Sequence, residues 1–367
     1  MDPDRWAARR KRQRRRRDRA ARRRRRWLWA LAYASAAALV ATGALGLLAR
    51  VSSPASDWVP QVAALALPVV GPLALVAAAG FGALAARTRR PAVALCAALC
   101  GAVFLGWAAR APDVGDAPPR AGAGAVLRLV TLNLGASDGR EGEVARYVAE
   151  SDADVVVLQE AEAAGRPYRD AVARIALDGY RAFVEPDDDL GRQVVLSRLP
   201  VVSHQAGHLG DRGAHAGVYS RTVVRLGGRE VAVYNVHLRP FNPSVGWSWS
   251  RAFRPSVWAE TPANLRAFFA GQSAEAAALA ALVAAEDRPT VVAGDFNATP
   301  DQWSRSRLAP WVRETTGRWR PGATAPSGTP VANVDGVLAG PEWEVRSAEV
   351  GPDGLSDHRP VRAVLAL

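Results

Sequence analysis

Three uncharged stretches near the start of the chain constrain its fold more than any other feature. Residues 27–49, 59–86 and 91–109 hold no charged side chain over 23, 28 and 19 positions. A helix needs ~20 apolar residues to cross the hydrocarbon core of a bilayer, so each stretch is long enough to span. One such segment could be a buried helix of a soluble protein or the core of a signal peptide. Three in succession argue for a three-helix membrane anchor, and the length of the first argues against cleavage.

Charge gives the anchor an orientation. The chain carries a net +12, yet residues 1–26 alone hold 15 Arg/Lys and 3 Asp. The rest sums to zero, and residues 121–367 hold 26 basic and 29 acidic side chains. The basic tail therefore belongs on the cytoplasmic side by the positive-inside rule. The loop with Arg50 and Asp57 is nearly neutral and fits outside, and Arg87-Thr88-Arg89-Arg90 fits inside. Three spans starting inside leave the remainder of the chain extracytoplasmic. Trp27, Trp29, Trp58 and Trp107 stand near span ends, where interfacial aromatics gather. Two cysteines in an apolar run, Cys96 and Cys100, exclude a disulfide scaffold. The expected organisation is a basic tail (1–26), an anchor (27–110), a Pro/Gly/Ala-rich linker (111–124) and a domain (125–367).

From Ala125 onward short β-rich runs replace the long apolar ones. Strands are expected at 126–133, 155–159, 194–197, 222–226, 231–238, 290–296, 334–338 and 361–367, and helices at 141–150 and 273–286. Several strands follow one another without helices, which favours antiparallel or mixed sheets.

Polar residues close many of these strands. Thr131-Leu132-Asn133 ends the first, and Gln159-Glu160 the second. Asn235 and His237 share a face of one strand, as do Asp295 and Asn297 of another, because strand side chains alternate. Asn333-Val334-Asp335 and Ser356-Asp357-His358 complete the set. Singly, each residue fits a turn, a cap or a satisfied core position. Together they amount to carboxylates, amides and imidazoles gathered at strand ends. Carboxylates without thiolates suit Mg²⁺ or Mn²⁺. A His beside an Asp makes a general base, and Asn amides can donate to a phosphate in transition. The inventory is that for hydrolysis of a phosphoester by activated water.

The motifs TLN (Asn133), VVVLQE (Glu160), VVLSRLPV (Leu196-Ser197-Arg198), NVHL (His237), GDFN (Asp295, Asn297) and SDHRPV (Asp357, His358) resemble, in order, those of the endonuclease/exonuclease/phosphatase superfamily. That fold is shared by DNase I-like nucleases, inositol polyphosphate 5-phosphatases and neutral sphingomyelinases. The resemblance covers residues 125–367. It implies an α+β four-layer sandwich, two mixed or antiparallel sheets packed face to face with helices outside. It further implies Glu160 as metal ligand with Asn133 beside it, and Asp357 as a second metal-side carboxylate. His358 would be the general base oriented by an Asp, Asp335 being available. Asp295 would position the attacking water, Asn297 would stabilise the phosphate, and His237 would bind phosphate or serve the leaving group. Where relatives often carry Arg-Ile-Asp-Tyr, this chain has Asn333-Val334-Asp335-Gly336. The anchored arrangement resembles a bacterial membrane-bound branch linked to glycopeptide (teicoplanin-type) antibiotic resistance.

The substrate class is narrowed by charge. A domain with excess acid is poorly suited to a nucleic-acid backbone, and its tether keeps it at the membrane. Residues 239–270 interleave Phe241, Trp247, Trp249, Phe253, Trp258, Phe268 and Phe269 with Arg239, Arg251, Arg254 and Arg266. That suits contact with lipid head groups. The expectation is a lipid-linked or other cell-envelope phosphoester. The alternatives are an extracytoplasmic nuclease and a non-catalytic envelope-ligand binder.

Overall fold

The structure is a computed structural model that describes residues 3–109, 124–135, 140–161, 179–184, 193–210, 216–240, 255–316, 323–328 and 332–367. By contacts the chain forms two units, Met1–Ala44 with Val69–Ala109, and Leu45–Pro68 with Arg110–Leu367.

The first unit is helical. Helix α1 runs from Pro3 to Leu48, so the basic tail and the first apolar stretch form one continuous helix. The second apolar stretch is divided. A short helix α2 (Val59–Leu65) belongs to the other unit, and α3 spans Leu67–Thr88. Helix α4 spans Pro91–Ala108. Helices α1, α3 and α4 are each long and apolar enough to cross a membrane. Their large apolar side chains are widely exposed, among them Trp27, Leu31, Val76 and Leu105. Such surface is expected where lipid is the solvent. At Gly71 a β-carbon would collide with the Trp107 ring, so the small residue permits close contact between α3 and α4.

Among the described residues, the second unit forms two six-stranded sheets. The first has the order β11-β12-β1-β2-β4-β3 and the second β5-β6-β7-β8-β10-β9. The first comprises β1 (Val126–Asn133), β2 (Val155–Gln159), β3 (Arg181–Val184), β4 (Val194–Ser197), β11 (Glu344–Val350) and β12 (Val361–Ala366). The second comprises β5 (Val201–His208), β6 (Val218–Leu226), β7 (Arg229–His237), β8 (Thr290–Asp295), β9 (Arg313–Glu314) and β10 (Asp335–Ala339). Pairs β1–β2 and β7–β8 are parallel, and the other pairs are antiparallel.

Alternation along each strand builds the layers. The inward set of β1, Leu127 and Leu129, meets Val155, Val157, Val231, Val233, Val291, Ala293, Val337 and Ala339 between the sheets. The outward set, Val130 and Leu132, packs with Val144 and Val148 of helix α5 (Glu141–Glu150). On the far face Ala232, Tyr234, Val236 and Val292 pack with Leu279, Ala280 and Val283 of helix α6 (Pro255–Ala284). Each fully buried Val or Leu contributes ~1.5–3 kcal/mol, so both faces of each sheet are strongly specified. The result is the four-layer, DNase I-like sandwich, helix, sheet, sheet, helix.

Helix α6 is also long and apolar enough to span. Its apolar face is buried against the second sheet instead. It starts well before the expected Ser273. Strands β3, β5, β9 and β11 have no counterpart among the expected β-rich runs. Strand β5 reads VVSHQAGH and has no fully buried residue, so it lacks the apolar run that marks an interior strand. The linker at 111–123 and residues 241–254 of the Trp/Arg segment lie outside the described residues.

Candidate active site

The polar strand ends occupy the last inward position of their strands. Asn133 follows Leu127, Leu129 and Thr131 on the inner face of β1. His237 follows Val231, Val233 and Asn235 on β7. Asp295 follows Val291 and Ala293 on β8, and Asp335 opens β10 before Val337 and Ala339. Register aligns them: His237 pairs with Asp295, and Asp295 with Asp335. The same alternation that fills the core with Val therefore delivers four polar side chains to one end of it. Parallel pairing of β7 with β8 is close there. Gly294 has φ 148°, and a β-carbon would collide with the Val236 carbonyl, so no other residue fits that backbone.

Asn133 sits at the centre, with 1% of its surface exposed. Its Nδ2 donates to Glu160 Oε1 at 3.1 Å and to Asp295 Oδ2 at 2.9 Å, and its Oδ1 accepts the Gly135 N–H at 2.9 Å. Glu160 lies just beyond β2 with φ 55°, a left-handed conformation that bulky residues adopt at a cost of order 1–3 kcal/mol. His237 is buried, its Nε2 lying 3.5 Å from Glu160 Oε1 and 3.7 Å from Asp295 Oδ2, with no hydrogen-bond partner among the described residues. A buried polar atom left unpaired among carboxylates is expected where a ligand completes the site.

His358 joins from the loop before β12. Its Nδ1 lies 2.8 Å from Asp335 Oδ2, and its Nε2 4.0 Å from Asp295 Oδ2. Burial alone would lower the imidazole pKa, but Asp335, Asp295 and Asp357 outweigh it and raise it to about 10. Burial pushes the Asp335 carboxyl upward; His358 opposes this, and Asp295 adds to it. Asp295, Asp335 and His358 form a compact group able to hold a cation. The carboxylate oxygens of Glu160 and Asp295, held by the Asn133 amide between them, suit a hard divalent ion.

Asn297 and Asp357 are placed differently. Asn297, with φ 46°, donates its Nδ2 to the Leu238 carbonyl at 2.9 Å, and its N–H to Asp295 Oδ1 at 2.8 Å. Asp357 is exposed, its Oδ1 accepting from Ser356 Oγ at 3.3 Å. Asn133, Glu160, His237, Asp295, Asp335 and His358 thus converge, whereas Asn297 buttresses their edge and Asp357 lies at the surface beside His358.

Further residues frame the site. Thr131, Gln159 and Asn235 are fully buried and link the two sheets beneath it. Gln159 Nε2 donates to Asn235 Oδ1 at 2.7 Å and to Thr131 Oγ1 at 3.1 Å, and Asn235 Nδ2 donates to the Leu158 carbonyl at 3.0 Å. Ser356 Oγ donates to the Asn133 carbonyl at 2.7 Å and accepts the His358 N–H at 2.9 Å, tying the two segments together. The buried Arg305 occupies the space beside Gly336, where a β-carbon would collide with it. It pairs with Glu314 at 2.6 Å and 2.7 Å and donates to the carbonyls of Ala298, Asn333 and Val334 at 3.2–3.3 Å. It stacks over the Phe296 ring at 4.7 Å. A guanidinium from another part of the chain thus supports Asp335 where the local sequence supplies only Asn333 and Gly336. The inward alternation of Thr131 and Asn235 could have flagged the polar bridge, but no local pattern points to Arg305.

A comparison with curated protein sequences gives no match. Among solved structures, an endonuclease/exonuclease/phosphatase family protein from Bacteroides thetaiotaomicron is similar at TM-score 0.51 and 14% identity, covering 66% of this chain and 98% of that one. A Bacteroides vulgatus endonuclease/exonuclease/phosphatase gives 0.51 and 15%, with 66% and 99% covered. Truncated Caenorhabditis elegans TDP2 gives 0.50 and 14%, with 66% and 98% covered. Such likeness establishes the shared sandwich. Residues 130–358, more than half the chain, match the family model described as Endonuclease/Exonuclease/phosphatase family. The matched span starts in β1 and ends at His358, enclosing every converging residue. The chain belongs to the endonuclease/exonuclease/phosphatase family and is a hydrolase of phosphoester bonds.

Proposed function

We propose that this protein is a membrane-anchored, divalent-metal-dependent hydrolase that acts outside the cytoplasm on a lipid-linked or other cell-envelope phosphoester. One observation carries the chemistry: Glu160 and Asp295 are bridged by Asn133, with Nε2 of His237, unpartnered among the described residues, facing both. Glu160 and Asp295 would hold Mg²⁺ or Mn²⁺, with Asn133 positioning both carboxylates. A bound divalent ion supplies positive charge at a phosphoryl oxygen and offsets the charge that develops there.

The chain's own residues do the rest. Asp335 holds Nδ1 of His358, which fixes the ring and aims Nε2 toward Asp295. In its neutral form, which the positive charge of a bound divalent ion would favour against the surrounding carboxylates, Nε2 would take the proton of the attacking water. Asp295, anchored by the Asn297 N–H, orients that water. His237 donates to a phosphoryl oxygen or to the leaving group. Asn297 keeps the edge of the pocket in place through Leu238, and Asp357 adds negative charge beside His358.

Three long apolar helices and an acidic catalytic domain support the membrane and lipid parts of the reading. A contribution to glycopeptide resistance is supported by the architectural resemblance alone. The test is hydrolysis by the detergent-purified full chain with Mg²⁺, with and without EDTA, against an undecaprenyl-type lipid phosphoester and a DNA duplex. Metal-dependent lipid cleavage that is lost in His358→Ala establishes the reading. Cleavage of DNA alone makes the protein a nuclease and overturns the substrate assignment.

A further inference from the structure

The second apolar stretch contains one polar side chain, Gln61. A lone Gln in an apolar run reads as a misfit. In the structure it is 1% exposed and fully engaged. Its Nε2 donates to the carbonyls of Ala49 at 2.8 Å and Ser52 at 3.0 Å, which closes the turn between α1 and α2. Its Oε1 accepts the Trp303 N–H at 3.0 Å, and its carbonyl accepts from Gln302 Nε2 at 3.2 Å. Arg50 adds a second point of attachment, donating to the Pro300 carbonyl at 3.0 Å and pairing with the buried Asp301 at 3.5 Å.

The partners of Gln61 and Arg50 lie directly after Asn297. Thr299 donates its N–H to Gln302 Oε1 at 2.7 Å, closing the turn on which they stand. From the other side, Gln272 Nε2 donates to the Asn297 carbonyl at 3.0 Å and its Oε1 accepts from Ser304 Oγ at 3.2 Å. Residues 297–304 are thus clasped between α6 and the segment joining the first two helices. Asp301 and Gln302 are each 2% exposed. A carboxylate so buried requires a nearby cation, and Arg50 supplies one from outside the sandwich.

We propose that residues 49–61 are a docking latch for the catalytic domain, with Gln61 and Arg50 as positioning residues that hold the 297–304 turn in its working shape. The latch has a topological corollary. Residues 49–61 and the catalytic domain lie on the same side of the membrane, a conclusion that does not use the charge of the tail. The link to turnover rests on the hydrolase reading, whereas the docking does not.

The test separates the two. In the full chain carrying Cys96→Ala and Cys100→Ala, single Ala55→Cys and Ser347→Cys variants are treated in intact cells and in inverted vesicles with a membrane-impermeant maleimide. The latch requires both positions to label from the same side, and labelling from opposite sides overturns it. Hydrogen exchange on the purified full chain then compares Gln61→Ala/Arg50→Ala with the parent. Amides at 299–306 should exchange about tenfold or more faster while those of β1 are unchanged, and unchanged exchange at 299–306 overturns the latch. Hydrolysis of bis(p-nitrophenyl) phosphate with Mg²⁺ should fall about tenfold in kcat, with little change in KM. A parent chain that fails on this and every other phosphoester defeats the hydrolase reading, and leaves the latch to be decided by labelling and exchange.

Discussion

Nδ1 of His358 and Oδ2 of Asp335 stand 2.8 Å apart at the mouth of the sandwich, the aspartate being 1% exposed. The pair joins a loop residue to a strand residue 23 positions earlier. Asp335→Asn keeps the shape but removes the charge that orients the imidazole. Turnover of a phosphoester is expected to fall by about 10²–10⁴-fold. Full turnover in this variant would remove Asp335 from the mechanism.

Asn133 neutralises the approach of Glu160 to Asp295 with its two amide hydrogens. Asn133→Ala leaves the carboxylates to repel each other and disorders their geometry. The Mg²⁺ concentration for half-maximal activity should rise about 10–100-fold, as for other lost supports of metal ligands. A metal titration of activity reads this, and an unshifted midpoint would show that the amide does not organise the cation site.

Arg305 and Glu314 form a buried pair, with side chains 1% and 14% exposed. Arg305→Met strands the glutamate and unties the carbonyls before Asp335. A loss of about 3–5 kcal/mol is expected for breaking one side of such a pair. Arg305→Met/Glu314→Gln should recover part of it. Urea unfolding of the full chain in detergent measures both, and equal stability of the single and double variants would rule out a charge-based penalty.

Gln159 and Asn235 are bonded across the two sheets at 2.7 Å. Each alanine variant should cost about 1–3 kcal/mol through unpaired buried partners. The double variant should cost less than the sum, with a coupling of about 0.5–3 kcal/mol. Additive costs would mean that the sheets do not communicate through this bond.

Glu286 sits where α6 ends. Burial pushes its carboxyl upward, but hydrogen bonds from Arg288 and Arg221 prevail and hold it below the usual 4.5. A depressed carboxylate stabilises the fold fully above pH 4.5 and loses that contribution as pH falls through its folded value. Stability measured between neutral pH and the acid range should therefore decline more steeply in the parent than in Glu286→Gln. Parallel curves would exclude this group as a source of acid lability.

The inner residues of the sandwich were legible because packing alone rarely places a polar side chain on the inner face of an apolar strand. Asn133, His237, Asp295 and Asp335 all carry that signature, and β1, β2 and β4 have the expected bounds. Edge strands were not legible. Strand β11 reads EVRSAEV, partly exposed, with no apolar run to distinguish it from a loop. Gln61 was equally silent, since a contact between residues 241 or 242 positions apart leaves no periodic trace, and so was Arg305, whose bonds to the Asn333 and Val334 carbonyls span 28 and 29 positions. Asn297 and Asp357 belong to strong motifs, but a motif specifies identity, and only the surrounding backbone decides whether a side chain turns inward. Asn297 turns toward Leu238 because its left-handed backbone aims it there.

The bonded layer of Thr131, Gln159 and Asn235 has a consequence for assembly. Aliphatic side chains tolerate sliding, so two valine-lined sheets could pack at several offsets with similar burial. Amide and hydroxyl groups are directional and match at one offset alone. That offset brings Glu160 from one sheet within reach of His237 from the other. The layer works as a locating pin: it fixes where the halves of the pocket meet before any ligand arrives.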